Sequence, residues 1–298
     1  MSASEFRCPL CGAPLQGTPL PARDRWFGVE GEFEIRECTH CELGITCPRP
    51  DGDALAAYYP SEYDAWRPSR GLVGLVRHAL AEIRASLPPY GALKRRGSGA
   101  LLDVGCGRGD LASSFARAGW SSAGLDISPA AVAAALAAGV DARVGTIETA
   151  PWPDGSFDLI VMNHSLEHMP DPVGAMRRAH RLLRKGGALV AGVPNWGSWQ
   201  RRLFGTYWTP LDVPRHLTHF SPRALHLAAN QTGFVRGRTR NYPTGVGLPG
   251  SVWFSLSRKP LVGGRQQAFL LVSAVAYPCS WLAGRALGGD ATYLVAEA

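Results

Sequence analysis

A chain of 298 residues, 46% hydrophobic and 18% charged, has enough apolar material for one large domain and one small one, which argues against long disordered or low-complexity stretches. A formal charge of +7 favours anionic partners, whether nucleic acid, a membrane surface or a phosphorylated metabolite, without choosing among them. The start, Met1-Ser2-Ala3-Ser4-Glu5, lacks the basic and apolar segments of a secretory signal, so a cytoplasmic chain with reduced thiols is expected.

Four of the seven cysteines form two pairs, Cys8-x-x-Cys11 and Cys38-x-x-Cys41. Two tight turns of this kind present four thiolates to a tetrahedral ion, and zinc is the expected metal. A pair of disulfides is the competing reading. Cys47 and His40 lie nearby as spare ligands. Residues 1 to 50 therefore read as a zinc ribbon, with Gly31 to Glu37 alternating like a hairpin strand and a core too small to stand without metal.

Residues 51 to 98 read as a connector. It carries the aromatic run Tyr58-Tyr59-Pro60-Ser61-Glu62-Tyr63 and a helix over Leu72 to Leu87, ended by Pro88-Pro89. From residue 99 the pattern becomes regular. Strands are predicted at Ala100 to Val104, Ala123 to Asp126, Ala142 to Thr146, Phe157 to Met162 and Ala188 to Val193. Helices are predicted over Asp110 to Ala118, Pro129 to Ala138 and Val173 to Leu183, the last closed by Gly186-Gly187. Such alternation specifies an α/β fold with a largely parallel sheet covered on both faces. A further helix is expected over Pro222 to Gln231.

The turn after the first of these strands is Asp103-Val104-Gly105-Cys106-Gly107-Arg108-Gly109. Glycines between a strand and a helix let backbone approach a ligand, and bare N–H groups at the helix start point toward it. The dinucleotide pattern G-x-G-x-x-G is not met, because Asp110 stands where the third glycine would fall, so a nicotinamide or flavin cofactor is disfavoured. Asp126, at the end of the next strand, is placed to accept hydrogen bonds from two ribose hydroxyls.

The run Asp-Val-Gly-Cys-Gly-Arg-Gly resembles the first motif of class I S-adenosylmethionine-dependent methyltransferases. Residues 99 to 234 resemble the branch that serves ubiquinone biosynthesis and sugar modification, through Phe157-Asp158-Leu159-Ile160-Val161, Leu166-Glu167-His168-Met169-Pro170-Asp171-Pro172, Arg184-Lys185-Gly186-Gly187-Ala188-Leu189 and Pro214-Arg215-His216-Leu217-Thr218-His219-Phe220. The resemblance implies a Rossmann-like domain over 99 to 298 with a mainly parallel seven-stranded sheet. It also implies that Asp103, Gly105, Cys106 and Gly107 lie against the methionine part of the cofactor and that Asp126 and Ile127 meet its nucleoside. The segment Gly145 to Glu148, Ile147 included, would lie along the adenine, with Asn163 beneath the cofactor.

Methyl transfer from a sulfonium is an in-line displacement, and a base is required only when the acceptor must lose a proton. His168 is the natural candidate. Because the Glu-His pair accompanies very different acceptors in related enzymes, a structural or orienting role stands equally with a catalytic one. His216 and His219 precede the helix at Pro222, near where this family closes its acceptor pocket, and Arg215 would suit an anionic group. The same stretch also reads as a packed lid whose polar groups satisfy its own backbone. Trp196, Trp199, Phe204, Tyr207 and Trp208 would wall an apolar pocket or fill a core.

Residues 268 to 284 carry no charge, yet Pro278 interrupts them and their length is at the short limit for a membrane span. Phe234 to Asn241 and Ala291 to Ala296 read as the last two strands of one sheet, which a single crossing would separate. Residues 243 to 290 are therefore an insertion, either packed over the active-site face or inserted shallowly into a membrane as a peripheral contact. Three functions follow. The leading one is methylation, most simply O-methylation, of a small or carrier-linked acceptor such as a sugar, polysaccharide precursor or quinone-like phenol. The second is RNA methylation, since some RNA-modifying relatives join a Cys-x-x-Cys module to this domain, although Asn163-His164-Ser165-Leu166 lacks an Asn-Pro-Pro-Tyr-like amino-methylating pattern. The third is a non-catalytic scaffold that keeps cofactor or zinc for structure.

Overall fold

The computed structural model describes residues 7–15, 18–59, 79, 82–245, 247–261 and 265–298. Tyr58 and Tyr59 fall among them, whereas the remainder of the expected aromatic connector and most of the helix expected over 72–87 lie outside. Residues 82–86 are helical.

The large sheet has seven strands: β4 (Ala100–Val104), β5 (Ser121–Asp126), β6 (Asp141–Val144), β7 (Phe157–Asn163), β8 (Leu183–Pro194), β10 (Val235–Tyr242) and β11 (Ala291–Glu297). Their spatial order is β10-β11-β8-β7-β4-β5-β6, parallel from β8 to β6 and antiparallel where β11 joins β8 and β10. This is the mainly parallel seven-stranded arrangement anticipated above. Consecutive residues of the central strands feed opposite faces. Leu102 and Ile160 pack with Ala175 and Leu225 of helices α5 (Pro172–Leu182) and α7 (Pro222–Gln231), while Leu101 and Leu159 pack with Phe115 and Val132 of α3 (Asp110–Arg117) and α4 (Pro129–Ala137). Burial on both faces explains why these strands read as nearly continuous apolar runs.

Two boundaries differ from expectation. Helix α5 stops at Leu182, and β8 begins at once with Leu183 paired to Phe157, so Gly186-Gly187 lies within the strand. Gly186 donates its N–H to the carbonyl of Ala298 at 2.9 Å, and Ala298 donates to Gly187 at 2.9 Å. The pair of glycines thus marks a meeting with the last strand, which was read as a helix cap because that meeting is remote in sequence.

The ribbon comprises β1 (Leu20–Ala22), β2 (Phe33–Glu37) and β3 (Gly44–Cys47), and it is not a free appendage. The two-residue strand β9 (Thr218–His219) of the large domain pairs with β3 as the fourth strand of its sheet. Cys8, Leu10, Leu43 and Ile45 belong to the same apolar cluster as Phe220 and Ala224. Trp196 and Trp208 are buried with Ala22 and Ile35, so these two rings fill the seam and do not line an open acceptor pocket. Asp24 and Arg215, both fully buried in side chain, pair across it at 2.7 Å.

Between β10 and β11 the chain forms α8 (Gly247–Ser257) and α9 (Arg265–Leu287), the insertion expected at 243–290. Phe254, Leu261 and Phe269 form a cluster with Trp26 and Tyr207, so the insertion packs toward the ribbon side. Among the described residues no helix is long and apolar enough to cross a membrane.

Candidate active site and the cysteine cluster

The glycine turn sits between β4 and α3, with Gly105 at φ +75°, Gly107 at +52° and Gly109 at +78°. Left-handed backbone suits glycine, and the three bends carry the chain back over the ends of β4 and β5. Gly105 and Cys106 donate their N–H groups to Leu125 O at 2.7 and 3.0 Å. At Gly105 a methyl group would fall 2.5 Å from Ser165 Cβ, while Ser165 Oγ donates to Val104 O at 2.7 Å. The cofactor turn and the segment after β7 are thereby held in direct contact.

Asp126 ends β5 and is buried. Its Oδ2 accepts from Gly107 N and its Oδ1 from Ser128 N, each at 2.9 Å. Burial pushes its pKa upward against these amide hydrogen bonds. Each carboxylate oxygen has a second lone pair for a hydroxyl donor. Ile127, the next residue, is 61% exposed, an unusually open position for a large apolar side chain beside a carboxylate and one that a nucleoside base would cover. Asp103 is buried on the neighbouring strand β4; burial, then the charges of Asp126 and Asp110, raise it to about 7. Cys106 is buried and its thiol is pushed up by burial and by Asp103 and Asp126. These residues fit a cationic nucleoside cofactor, because a sulfonium or ammonium near the two aspartates would favour their ionised forms.

The structure places Ile147 in the apolar core, with only 1% exposure, whereas Ile127 is open. Asn163 ends β7 and takes part in a polar cluster that the sequence reading missed. Its Oδ1 accepts from Tyr90 OH at 2.9 Å, Arg84 Nη2 at 3.2 Å and Tyr293 OH at 3.3 Å. Tyr293 approaches because Gly192 opposite it has no side chain. Nothing local in the sequence joins these four residues, since they come from the connector, β7 and β11.

The segment after β7 turns through His164, whose φ of +54° is a strained setting for a residue with a side chain and is found disproportionately at functional sites. It leads into a single 3₁₀ turn, Leu166–His168. Glu167 is 1% exposed in side chain, and its Oε1 lies 3.3 Å from His164 Nδ1 and 3.8 Å from His216 Nε2. Burial alone would raise its pKa; the hydrogen bond and charge of His164, with the charges of His216 and His168, outweigh burial and hold it below the usual carboxylate range.

His168 and His216 meet edge to face with ring centroids 4.6 Å apart. His168 Nδ1 lies 3.0 Å from Arg215 O and 3.0 Å from Tyr59 OH. Burial and then His216 lower its pKa to about 4, so at neutral pH the ring is uncharged. His216 Nδ1 lies 3.0 Å from Pro210 O.

His219 is placed differently from the other two histidines expected to share the chemistry. It is buried in β9, with Nε2 3.0 Å from Thr46 Oγ1 of the ribbon and its ring 5.1 Å from that of Trp196. Its place is in the seam between ribbon and large domain. Arg215, which seemed suited to an anionic acceptor, is 0% exposed and saturated by Asp24, Asp212 and the carbonyl of Tyr58. Both residues follow from packing partners more than 150 positions away.

Cys8, Cys11, Cys38 and Cys41 converge, with all four sulfurs within 4.8 Å of one another. Each pair turns on its own backbone, Gly12 N donating to Cys8 O at 2.9 Å and Glu42 N to Cys38 O at 2.7 Å. Burial raises the Cys8 thiol to about 11 and Cys41 further, so a cation is what would hold these sulfurs as thiolates. Cys47 is buried at the end of β3 and His40 is exposed; neither belongs to the cluster.

Known proteins bear on this arrangement. A family model described as a methyltransferase domain matches residues 74–235. The ubiquinone biosynthesis O-methyltransferase of Xanthomonas axonopodis pv. citri is 37% identical over 150 residues, covering 48% of this chain and 60% of its own. The protein of the same description from Xanthomonas oryzae pv. oryzae is 36% identical over 150 residues with the same shares. The chain thus spans 60% of the length of these curated relatives. Among solved structures, an S-adenosylmethionine-dependent methyltransferase from Archaeoglobus fulgidus has a TM-score of 0.52 at 18% identity, covering 74% of this chain and 94% of that one. A Haemonchus contortus phosphoethanolamine N-methyltransferase 2, solved with phosphomonomethylethanolamine and S-adenosylhomocysteine, has a TM-score of 0.52 at 17% identity, covering 83% and 61%. These structural likenesses speak for the fold alone.

Proposed function

As this chain belongs to the class I S-adenosylmethionine-dependent methyltransferase family, we propose that it transfers a methyl group to a hydroxyl of a small or carrier-linked acceptor, such as a sugar, a polysaccharide precursor or a quinone-like phenol. The observation that carries the reading is the direct contact of Gly105 with Ser165, which sets the polar wall of Glu167, His168 and His216 immediately beyond the cofactor turn. The similarity to O-methyltransferases of ubiquinone biosynthesis supports a hydroxyl over an amine.

When bound, the cofactor supplies a methyl group on a sulfonium, open to in-line displacement. Asp126 would accept the ribose hydroxyls and Ile127 would cover the base, so that the two would hold the nucleoside part of the cofactor. Gly105 and Gly107 bring backbone close to the methionine part. Tyr90, Tyr293 and Arg84 hold Asn163 in one orientation beneath it. Alignment of acceptor, methyl and sulfur is the main lever on such a reaction, and a rigid wall after β7 provides it. The four-cysteine cluster holds a structural zinc ion in this reading and thereby keeps β3 in place to pair with β9, next to His216.

The test is transfer of label from methyl-labelled S-adenosylmethionine to cell extracts separated into RNA, lipid and small-molecule pools, with nuclease-treated protein. Label in a lipid or small-molecule pool, on an ether oxygen, is expected. Label confined to RNA, or no transfer by protein that binds the cofactor, overturns the reading.

A further inference from the structure

Glu167, His168 and His216 form a second group whose composition resembles a metal site. One ligand atom from each lies within 4.8 Å of those of the other two. Two imidazoles and one carboxylate are the donor set that holds divalent first-row transition ions while leaving coordination positions open.

Two further observations point to a ligand. First, each imidazole has its Nδ1 against a main-chain carbonyl, Arg215 O for His168 and Pro210 O for His216, both at 3.0 Å. A carbonyl only accepts, so Nδ1 carries the proton in both rings and the lone pair stands at Nε2, the tautomer and outer-sphere bond typical of metal-bound histidine. Second, Glu167 Oε2 is buried with no hydrogen-bond partner, in a side chain only 1% exposed. A buried carboxylate oxygen left without a partner is costly, and here His164 Nδ1 addresses the other oxygen.

The spacing has a reading in the same terms. His216 Nε2 stands 3.8 Å from Glu167 Oε1 and 3.7 Å from Asp212 Oδ2. These separations are too long for hydrogen bonds and somewhat longer than the roughly 3 Å between neighbouring ligands on an ion with bonds near 2.1 Å. An ion would draw the three groups together and satisfy Oε2 in one step.

We propose that Glu167, His168 and His216 bind one divalent first-row transition-metal ion, distinct from the ion of the four cysteines. The claim of binding is independent of the acceptor. If the hydroxyl reading above also holds, the ion's consequence is to acidify an acceptor hydroxyl that occupies an open coordination position, with both histidines serving as ligands.

The experiment uses the full chain loaded with a single equivalent of zinc, which the thiolates capture, and then titrated with Mn²⁺ under electron paramagnetic resonance. Uptake of one Mn²⁺ per chain is expected, with pulsed spectra showing couplings to imidazole nitrogen. His216→Gln should weaken uptake at least about tenfold and remove part of that coupling, while S-adenosylhomocysteine binding, measured by calorimetry, stays in place. Glu167→Gln should weaken uptake further. If that variant fails to fold, the coupling in the wild type and its loss in His216→Gln decide. No Mn²⁺ uptake at millimolar concentration, uptake without imidazole coupling, or unchanged uptake in folded His216→Gln would overturn the proposal. None of these results depends on methyl transfer.

Discussion

Replacing Asp126 by alanine tests the cofactor assignment at its most exposed point. The carboxylate is anchored by two backbone amides, Gly107 N and Ser128 N, one on each oxygen at 2.9 Å. Each oxygen keeps a second lone pair, enough for the two ribose hydroxyls. A hydrogen bond to a charged acceptor contributes about 1.5–3 kcal/mol, so losing two costs about 3–6 kcal/mol. At about 1.4 kcal/mol per tenfold change, the cofactor's Kd should rise by about a hundredfold to about ten thousandfold. Calorimetry with S-adenosylhomocysteine is the appropriate assay, because that ligand lacks the sulfonium and removes the simple charge attraction to Asp126 from the comparison. The same substitution also frees the two anchoring amides, so thermal unfolding is measured in parallel. If the variant binds within about threefold of wild type, Asp126 is only a staple of its own loop, and the reasoning from free lone pairs fails.

Gly105→Ala places a methyl group 2.5 Å from Ser165 Cβ on a backbone with φ +75°, so cofactor binding should fall at least about tenfold while the far-ultraviolet spectrum is retained. Equal binding would show that the turn and the segment after β7 are not locked together. Arg215→Met removes the cation shared by Asp24 and Asp212 at a fully buried position and should destabilise the protein by about 3–5 kcal/mol in denaturant titrations, with cofactor affinity largely kept in the folded fraction. A change in stability under about 1 kcal/mol would mean the pair is solvated in solution.

Two groups whose surroundings disfavour their charged forms give opposed pH dependences. His168 has its pKa lowered from 6.5 to about 4, so it contributes stability above pH 6.5 that is lost as pH falls toward 4; Asp103, raised from 3.8 to about 7, contributes stability at low pH that is lost as pH rises through 7. Melting temperatures between pH 4 and 7 should therefore rise less steeply with pH in His168→Asn than in wild type, and more steeply in Asp103→Asn. Parallel curves for all three proteins would refute both assignments.

What could be read from the sequence was whatever is settled by neighbours along the chain. The strand that carries Asp103, the left-handed glycines after it and the aspartate closing β5 are local features with a period or a spacing, and the structure puts them at the C-terminal ends of two neighbouring strands of one sheet. The cysteine pairs are legible for the same reason, each being a short turn. By contrast, Arg215 meets Asp24 across 191 positions, and His219 meets Thr46 across 173, so their types suggested chemistry while their partners assign them to packing. Ile147 is carried over from the family by position, but in the turn after β6 a residue faces either core or solvent, and the resemblance does not say which.

The least legible feature is how the ribbon bears on the site. Strand β9 is two residues long, too short to carry a pattern, yet it pairs with β3 and is followed by Phe220 in the shared core. Thr46 Oγ1 donates to the carbonyl of His216 at 2.6 Å, and Arg49 donates to the carbonyl of Pro170 at 2.9 Å. The ribbon therefore holds both ends of the polar wall, the segment after β7 and the loop that carries His216. A module that shares its apolar core with the large domain thus sets the position of groups beside the cofactor turn. Replacing the four clustered cysteines by serine should consequently disturb the geometry around Glu167, His168 and His216 before it disturbs the seven-stranded sheet.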